Sequence, residues 1–253
     1  MTVTILTGAS SGLGQSFLEA LGQDEKYRTD EVWLIARRRE RLEQLAALSA
    51  IPCRVIPLDL TDPASFTELE RLLNEQKPEV RLLINNAGCG KVGKVEELPF
   101  EQQTQMVDLN VRALTAITAI TLPFMTAGSG MINVCSIASF VPNTRMTVYS
   151  STKAYVSSFS AGLREEVKGR GIRVLSVCPG PMATEFLPVA GIQTGVSKTF
   201  DRLPYCNPDR VAKKSLQKAL AGRGVYTPRG FYKFYRVLAK ILPRGLMMKF
   251  SKV

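Results

Sequence analysis

The stretch Thr7-Gly8-Ala9-Ser10-Ser11-Gly12-Leu13-Gly14 decides the fold. It lies between a short apolar run, Val3 to Leu6, and an amphipathic stretch from Phe17 to Leu21. A strand, a tight glycine turn and a helix start, in that order, make a cradle for a pyrophosphate. Gly8 permits the turn, and Gly12 lets backbone approach phosphate oxygens with no Cβ between. Gly14 allows the helix to pack closely on the sheet, while the helix N-terminus offers N–H groups and the positive end of its dipole. Ser10, Ser11 and Leu13 complete the expected phosphate-binding loop. The spacing departs from G-x-G-x-x-G, so an ordinary Gly-Ser turn is the alternative, and the rest of the chain has to decide.

Outward from the loop, short apolar runs alternate with longer helical patterns. The pattern predicts strands at Val3–Leu6, Val32–Ala36, Arg54–Leu58, Leu82–Asn85, Met131–Cys135, Arg173–Cys178 and Val225–Thr227. Helices are predicted at Ser11–Leu21, Arg39–Leu48, Ser65–Leu73, Phe100–Met125, Val148–Lys168 and Pro208–Ala221. Continuous Val/Ile/Leu strands imply burial on both faces, and strand–helix alternation implies right-handed crossovers. The expected fold is α/β: a single doubly wound, Rossmann-like parallel sheet with helices on both faces and a C-terminal helical extension. No composition break divides residues 1–190. Residues 1–197 read as the dinucleotide-binding and catalytic core, and 198–253 as a basic extension of the same domain.

Composition removes several classes of chemistry. The 253 residues include no histidine, which excludes Ser-His-Asp and Cys-His catalysis and every histidine metal site. No metal site is expected. Acid–base work near neutral pH falls to a perturbed Tyr, Lys, Cys or carboxylate. The five cysteines show no CxxC pairing and read as reduced. No apolar run reaches the length expected of a membrane span, and Met1 runs almost directly into a strand, so no signal peptide is expected; with reduced cysteines, a cytoplasmic location is expected.

Ligands of such sheets bind beyond the carboxyl ends of the strands. Those ends carry Gly8 to Gly14, then Arg37-Arg38-Arg39, Asp59-Leu60, Asn85-Asn86-Ala87-Gly88, Ser136 and Pro179-Gly180. An acidic residue at the second exit would bind a ribose 2′-OH and repel a 2′-phosphate. Here Ala36 is followed by arginines whose planar forks suit a phosphate, which favours NADP(H). Arg39 and Arg41 read more simply as the exposed start of a helix. Asp59 is placed to reach the adenine, with Leu60 as a backbone contact. Asn85 to Gly88 either line the cofactor groove or form a turn.

The expected chemistry sits in Ser136, Tyr149 and Lys153. Tyr149 and Lys153 are four apart and project from one helix face. A nearby ammonium favours the phenolate and lowers the tyrosine pKa. Ser136 is placed to hold a substrate carbonyl while Tyr149 gives it a proton and hydride arrives from nicotinamide.

From Val3 to Thr184 the chain resembles the short-chain dehydrogenase/reductase family. The family's T-G-x-x-x-G-x-G loop matches Thr7 to Gly14, its N-N-A-G matches Asn85 to Gly88, and its catalytic Asn falls on Asn110. Its Ser, Tyr and Lys fall on Ser136, Tyr149 and Lys153, and its P-G with downstream Thr on Pro179, Gly180 and Thr184. The resemblance implies that Lys153 also binds the nicotinamide ribose and that Asn110 helps hold a water for proton relay. It implies that Pro179, Gly180 and Thr184 touch the nicotinamide end. It also implies a homodimer or homotetramer built on the helices near 100–125 and 148–168.

The tail differs from the core. Residues 198–253 hold 14 Lys/Arg and 2 Asp/Glu, a net +12, so the whole basic surplus of a chain with net +11 lies there. No nucleic-acid module accompanies it, and no nucleic-acid partner is expected. Phe231, Phe234, Tyr235, Leu238, Ile241 and Leu242 form one helical stripe, with Lys233, Arg236 and Lys240 opposite and Arg244 continuing the basic run. Pro243 and Gly245 are expected to break that helix. Three readings stay open: a cover over the substrate cleft, peripheral contact of residues 231–253 with anionic membrane, or steering of an acidic substrate or carrier. Phe140, Val141, Met146, Met182, Phe186 and Leu187 are expected around the substrate, with Arg145 as a candidate for a substrate carboxylate and Ala183–Tyr205 as a closing loop. The expected substrate is a hydrophobic carbonyl or secondary alcohol, steroid-like or acyl. A 3-oxoacyl reductase served by an acidic carrier and a membrane-associated cofactor sensor are the alternatives.

Overall fold

A computed structural model of the chain describes residues 1–192 and 198–251. Seven parallel strands run in the order β3-β2-β1-β4-β5-β6-β7. They are β1 (Thr2–Thr7), β2 (Glu31–Ala36), β3 (Cys53–Pro57), β4 (Glu79–Asn85), β5 (Gly130–Val134), β6 (Arg173–Val177) and β7 (Val225–Tyr226). All seven expected strands are present. The order reverses between β1 and β4, and that switch point opens a crevice beyond the strand ends.

The strands are apolar on both faces because both faces are covered. Leu6, Val32, Leu34, Leu175 and Val177 join one core with Phe17 of helix α1 (Leu13–Gly22) and Leu42 of α2 (Arg39–Leu48). The alternate residues Val3, Ile5, Trp33, Ile35 and Val174 join the other core, with Leu69 and Leu73 of α3 (Ala64–Gln76). This period-two partition, with each set fully or nearly fully buried, is what a doubly covered parallel sheet demands.

The long helix expected over 100–125 is one continuous run with a change of winding. Helix α4 (Phe100–Val107) passes through a π-helical turn, Asp108–Ala113, into α5 (Leu114–Thr121) and a final 3₁₀ turn. Asn110 sits in that wider turn, a feature that recurs at functional sites. The run Phe100–Phe124 is apolar and long enough to cross a membrane by length and composition alone. In this fold it lies along the sheet, with α5 packed on α3 and β4. Helix α6 (Thr147–Glu166) follows β5 and carries Tyr149 and Lys153.

Beyond β6 the expected closing loop contains two short helices, α7 (Phe186–Val189) and α8 (Lys198–Arg202); residues 193–197 of that segment lie outside the described residues. Helix α9 (Pro208–Leu220) starts with Asn207 accepting from the Arg210 amide and Pro208 at its first turn. Its Val211, Ala212, Leu216 and Ala219 enter the same core as α1, and Ser16 donates to Asp209 at 2.6 Å. Helix α10 (Gly230–Ile241) ends before Pro243 as expected, but the chain then resumes as α11 (Arg244–Phe250). Pro243 occupies the cap position of α11, where its missing N–H costs nothing, and Gly245 is absorbed into the first turn.

Tyr232 of α10 is fully buried, packs the hydroxyl end of its ring against Gly180 after β6, and donates to the Pro204 carbonyl at 2.8 Å. A Cβ at Gly180 would overlap the Tyr232 ring. Gly180→Ala is therefore expected to cost roughly 1–3 kcal/mol through overpacking. Gly162→Ala, in α6 with open space around it, should gain about 0.5–1 kcal/mol from helix propensity. Thermal unfolding of the two variants should shift in opposite directions.

Candidate active site

The strand ends enclose one large cavity of about 810 Å³. Gly8, Ser10, Ser11, Gly12, Leu13, Arg37, Arg38, Asp59, Leu60, Asn86, Ala87, Gly88, Ser136, Tyr149, Lys153, Pro179, Gly180 and Thr184 all line it. Among the expected site residues only Gly14 and Asn110 stand behind the wall, where each supports residues that do line it.

The loop end is built by a clasp between β1 and β4. Thr7 Oγ1 donates to the Ile84 carbonyl at 3.3 Å and accepts from the amides of Asn86 and Ala87 at 3.0 and 3.1 Å. Asn86 Nδ2 donates back to the carbonyls of Thr7 and Gly8. Gly8 adopts φ +64° with its Cα against Ala87, so a side chain there would be strained and would collide. Gly12 precedes α1 with no side-chain cap, which leaves the helix N–H groups facing the cavity. Of the doubtful segment 85–88, Asn86 to Gly88 line the groove. Asn85 is interior instead, donating to Thr118 and Asn133.

The arginines at the β2 exit face this end. Arg38 donates to the carbonyl and hydroxyl of Ser10 and pairs with Glu185 at 3.0 Å. Arg37 is 3.9 Å from Asp59, whose carboxylate is tied to the Thr61 amide and hydroxyl. Burial opposes the charge on Asp59, but the Thr61 hydrogen bonds and Arg37 outweigh it and hold the carboxyl below its ordinary pKa. Arg39 pairs with Glu43 on its own helix, as a surface residue would. Glu185 was not legible in the sequence. It pairs with both Arg38 and Arg41, and nothing local to it signals an arginine partner about 145 residues away.

At the other end stand the reactive groups. Ser136 Oγ accepts the Ala138 amide at 3.1 Å, which leaves its own O–H to donate toward Tyr149 or a substrate oxygen. Tyr149 is buried, with its ring 5.8 Å from that of Phe186. Burial pushes the phenol pKa well above its ordinary value, against the opposing hydrogen bond from Ser136. Lys153 Nζ donates to the Val134 carbonyl at 2.9 Å and lies 5.9 Å from the Tyr149 ring centroid. Burial lowers its pKa. The expected lowering of the Tyr149 pKa is thus reversed: desolvation raises it, and the opposing contribution comes from the Ser136 hydrogen bond rather than from Lys153.

Asn110 is almost completely enclosed. Its Nδ2 donates to the Cys89 carbonyl at 2.8 Å and to Thr152 Oγ1 at 3.0 Å, and its Oδ1 accepts the Cys89 amide at 2.9 Å. Both amide hydrogens are engaged by protein, so any water it holds must use the remaining lone pair of Oδ1. A second acceptor went unnoticed in the sequence: Asn143, in the cavity wall, has a buried Oδ1 with no hydrogen-bond partner.

Several expectations for the substrate end need correction. Met146, Met182, Phe186 and Leu187 line the cavity, but Phe140 and Val141 do not. Phe140 packs on Tyr235, and Val141 is core. Arg145 is an exposed loop residue paired with Glu97 at 3.3 Å, outside the cavity. The stretch 186–192 is fastened rather than loose: Lys91 Nζ donates to the Val189 carbonyl and the Val92 amide to that of Ala190.

Comparison with known proteins agrees with this geometry. Residues 2–192 match the sequence model of the short chain dehydrogenase family. A serine 3-dehydrogenase from Rhizobium radiobacter is 34% identical over 192 residues, covering 74% of each chain. The structure of a short-chain dehydrogenase from Sphingobium yanoikuyae in complex with NADPH superposes with a TM-score of 0.81 at 28% identity, over 98% of this chain and 95% of that one. A bulky-bulky ketone specific alcohol dehydrogenase from Comamonas testosteroni superposes with a TM-score of 0.77 at 27% identity, over 98% and 94%. The chain belongs to the short-chain dehydrogenases and is an oxidoreductase.

Asn110→Ala should leave the partly buried amide and carbonyl of Cys89 without their side-chain partner, at about 1–3 kcal/mol. Urea unfolding should register that loss as a lower midpoint, with far-UV circular dichroism of the native state unchanged.

Proposed function

We propose that the protein reduces a hydrophobic ketone to a secondary alcohol with NADPH, and runs the reverse reaction when the alcohol and NADP⁺ are in excess. The observation that carries this reading is the single cavity that joins Arg37 and Arg38 at one end to Ser136, Tyr149 and Lys153 at the other. Gly8 to Gly14 would hold the pyrophosphate, Arg37 and Arg38 the 2′-phosphate, and Asp59 and Leu60 the adenine. Asn86 to Gly88 would line the groove, Lys153 would take the nicotinamide ribose, and Pro179, Gly180 and Thr184 the nicotinamide end. The cofactor, when bound, supplies the hydride. The NADPH complex of the Sphingobium relative supports that choice.

The chain's own part is proton management. Ser136 donates a hydrogen bond to the ketone oxygen, and Tyr149 Oη gives it the proton that completes the alcohol. Lys153, fixed by Val134, places positive charge behind the phenol and stabilises the phenolate left by that transfer. Around Tyr149 the wall is Met146, Phe186, Leu187, Ile192, Phe200 and Leu203, which suits a bulky apolar ketone. The Comamonas relative's specificity for bulky-bulky ketones agrees with it. In the same proposal the protein works in the cytoplasm as a homodimer or homotetramer through α4–α5 and α6, and the exposure of Phe100, Val107 and Tyr155 on those helices supports that assembly.

A raised Tyr149 pKa keeps the phenol protonated at neutral pH. Reduction should therefore hold its rate through the neutral range and fall only as pH rises toward that pKa. Oxidation needs the phenolate, and its kcat/KM should climb about tenfold per pH unit through the alkaline range. Tyr149→Phe should abolish that dependence and lower kcat roughly 10²–10⁴-fold while NADPH affinity is kept. Turnover across pH, with NADPH binding followed by fluorescence, checks both; unchanged turnover in the variant would refute the assignment.

Joint replacement Arg37→Ala/Arg38→Ala should weaken NADPH binding by about tenfold to a hundredfold, the loss expected for charge-assisted hydrogen bonds, and leave NADH binding unaltered. Calorimetric titration with each cofactor separates the two.

A further inference from the structure

Helix α10 carries two apolar faces, and the fold covers one. Tyr232, Tyr235, Ala239 and Leu242 turn toward the body of the protein, with Tyr232 over Gly180 and Tyr235 against Phe140. The single stripe expected from sequence is therefore split. Phe231, Phe234, Val237 and Ile241 stand outward, 56, 63, 49 and 72% exposed. At 3.6 residues per turn these four share about one third of the helix circumference. Lys233 and Lys240 run along one edge of that stripe, and α11 adds an exposed Leu246 between Arg244 and Lys249. From Arg229 to Val253 the chain has seven basic residues and no acidic one.

We infer that α10 and α11 dock the enzyme on an anionic lipid bilayer, and that its ketone or alcohol substrate is a lipophile drawn from that bilayer. Isolated exposed apolar side chains are ordinary, but four in one stripe with a cationic edge form a patch of the kind that lies in a membrane interface. Charge selects the occupant. A second copy meeting this face across a two-fold axis would set one basic run against the other. Anionic headgroups take the lysines and arginines while the acyl layer takes Phe234 and Ile241.

The cavity supplies the link to substrate. Phe231, Tyr232, Tyr235 and Ser251 line it, so α10 is at once the cavity wall and the outward patch. A lipophile leaving the bilayer would pass along one helix to reach Tyr149. The docking stands on the surface alone, and the substrate class rests on the reductase reading.

The test uses the full-length chain and vesicles of equal parts phosphatidylcholine and phosphatidylglycerol at low salt. Phe234→Asp/Ile241→Asp and Lys233→Gln/Lys240→Gln alter the outer face without touching the cavity lining. The wild-type chain should sediment with the anionic vesicles, stay in solution with pure phosphatidylcholine, and be released by high salt. Each double variant should bind at least about tenfold more weakly. Wild-type protein that stays in the supernatant at low salt overturns the docking. So does lipid-free self-association that Phe234→Asp/Ile241→Asp abolishes in sedimentation velocity, which would assign the face to a second copy. A water-soluble ketone should be turned over equally by wild type and variants, whereas a long-chain ketone embedded in the anionic vesicles should lose at least tenfold in kcat/KM with Phe234→Asp/Ile241→Asp. Equal turnover of the embedded ketone overturns the substrate class. Loss of turnover on every ketone with vesicle binding intact would count against the reductase reading and leave the docking standing.

Discussion

The site depends on the way β1 and β4 are joined at the switch point. Thr7 donates to one carbonyl of β4 and accepts two of the amides that follow it, and Asn86 returns two hydrogen bonds to the β1 end. This buried clasp satisfies backbone groups that the reversal of strand order would leave unpaired. It also fixes the glycine turn, with Gly8 pressed against Ala87. Everything downstream is positioned relative to that junction: Gly88 packs near Asn110 and Lys153, and the cavity opens on its far side.

Two environments share the cavity, and they set different chemistry. At the arginine end the groups are exposed and charged. There Glu185 balances Arg38 and Arg41, and ion pairs that open to water are individually weak. At the tyrosine end the groups are enclosed, so desolvation controls them. It raises the phenol pKa, which keeps the phenol neutral, and lowers that of the lysine, whose ammonium is held by its hydrogen bond to Val134. A neutral phenol poised beside Ser136 is suited to giving a proton, and an ammonium held on Val134 is suited to stabilising what remains. The amphipathic tail adds a third environment, since one helix closes the cavity and faces outward with a basic edge.

Much of this was legible because it follows from periodicity and local turn chemistry. All seven strands, the glycine turn after β1 and the places of Ser136, Tyr149 and Lys153 in the cavity wall are set by residues close in sequence to the elements that carry them. The misses come from long-range packing. Phe140 and Val141 have the composition of cavity residues, but Phe140 turns to meet Tyr235 on a helix about 95 residues away, a pairing no local pattern encodes. Arg145 is neutralised by Glu97 across a loop contact. Asn110 sits in a π-helical turn and hydrogen-bonds Cys89 and Thr152, partners 21 and 42 residues away that no local pattern encodes. The split faces of α10 could not be separated by periodicity, because apolar residues occupy more of its circumference than one contact can cover.

The central claim is direct reduction of a hydrophobic ketone at Tyr149 by hydride from NADPH. The most direct measurement is a single turnover with NADPH deuterated at the transferable nicotinamide position, followed by mass analysis of the alcohol. Deuterium on the carbinol carbon of the product, with none lost to water, is the predicted result. Alcohol without the label, or no alcohol from any bulky ketone while labelled NADPH stays bound, would contradict the account.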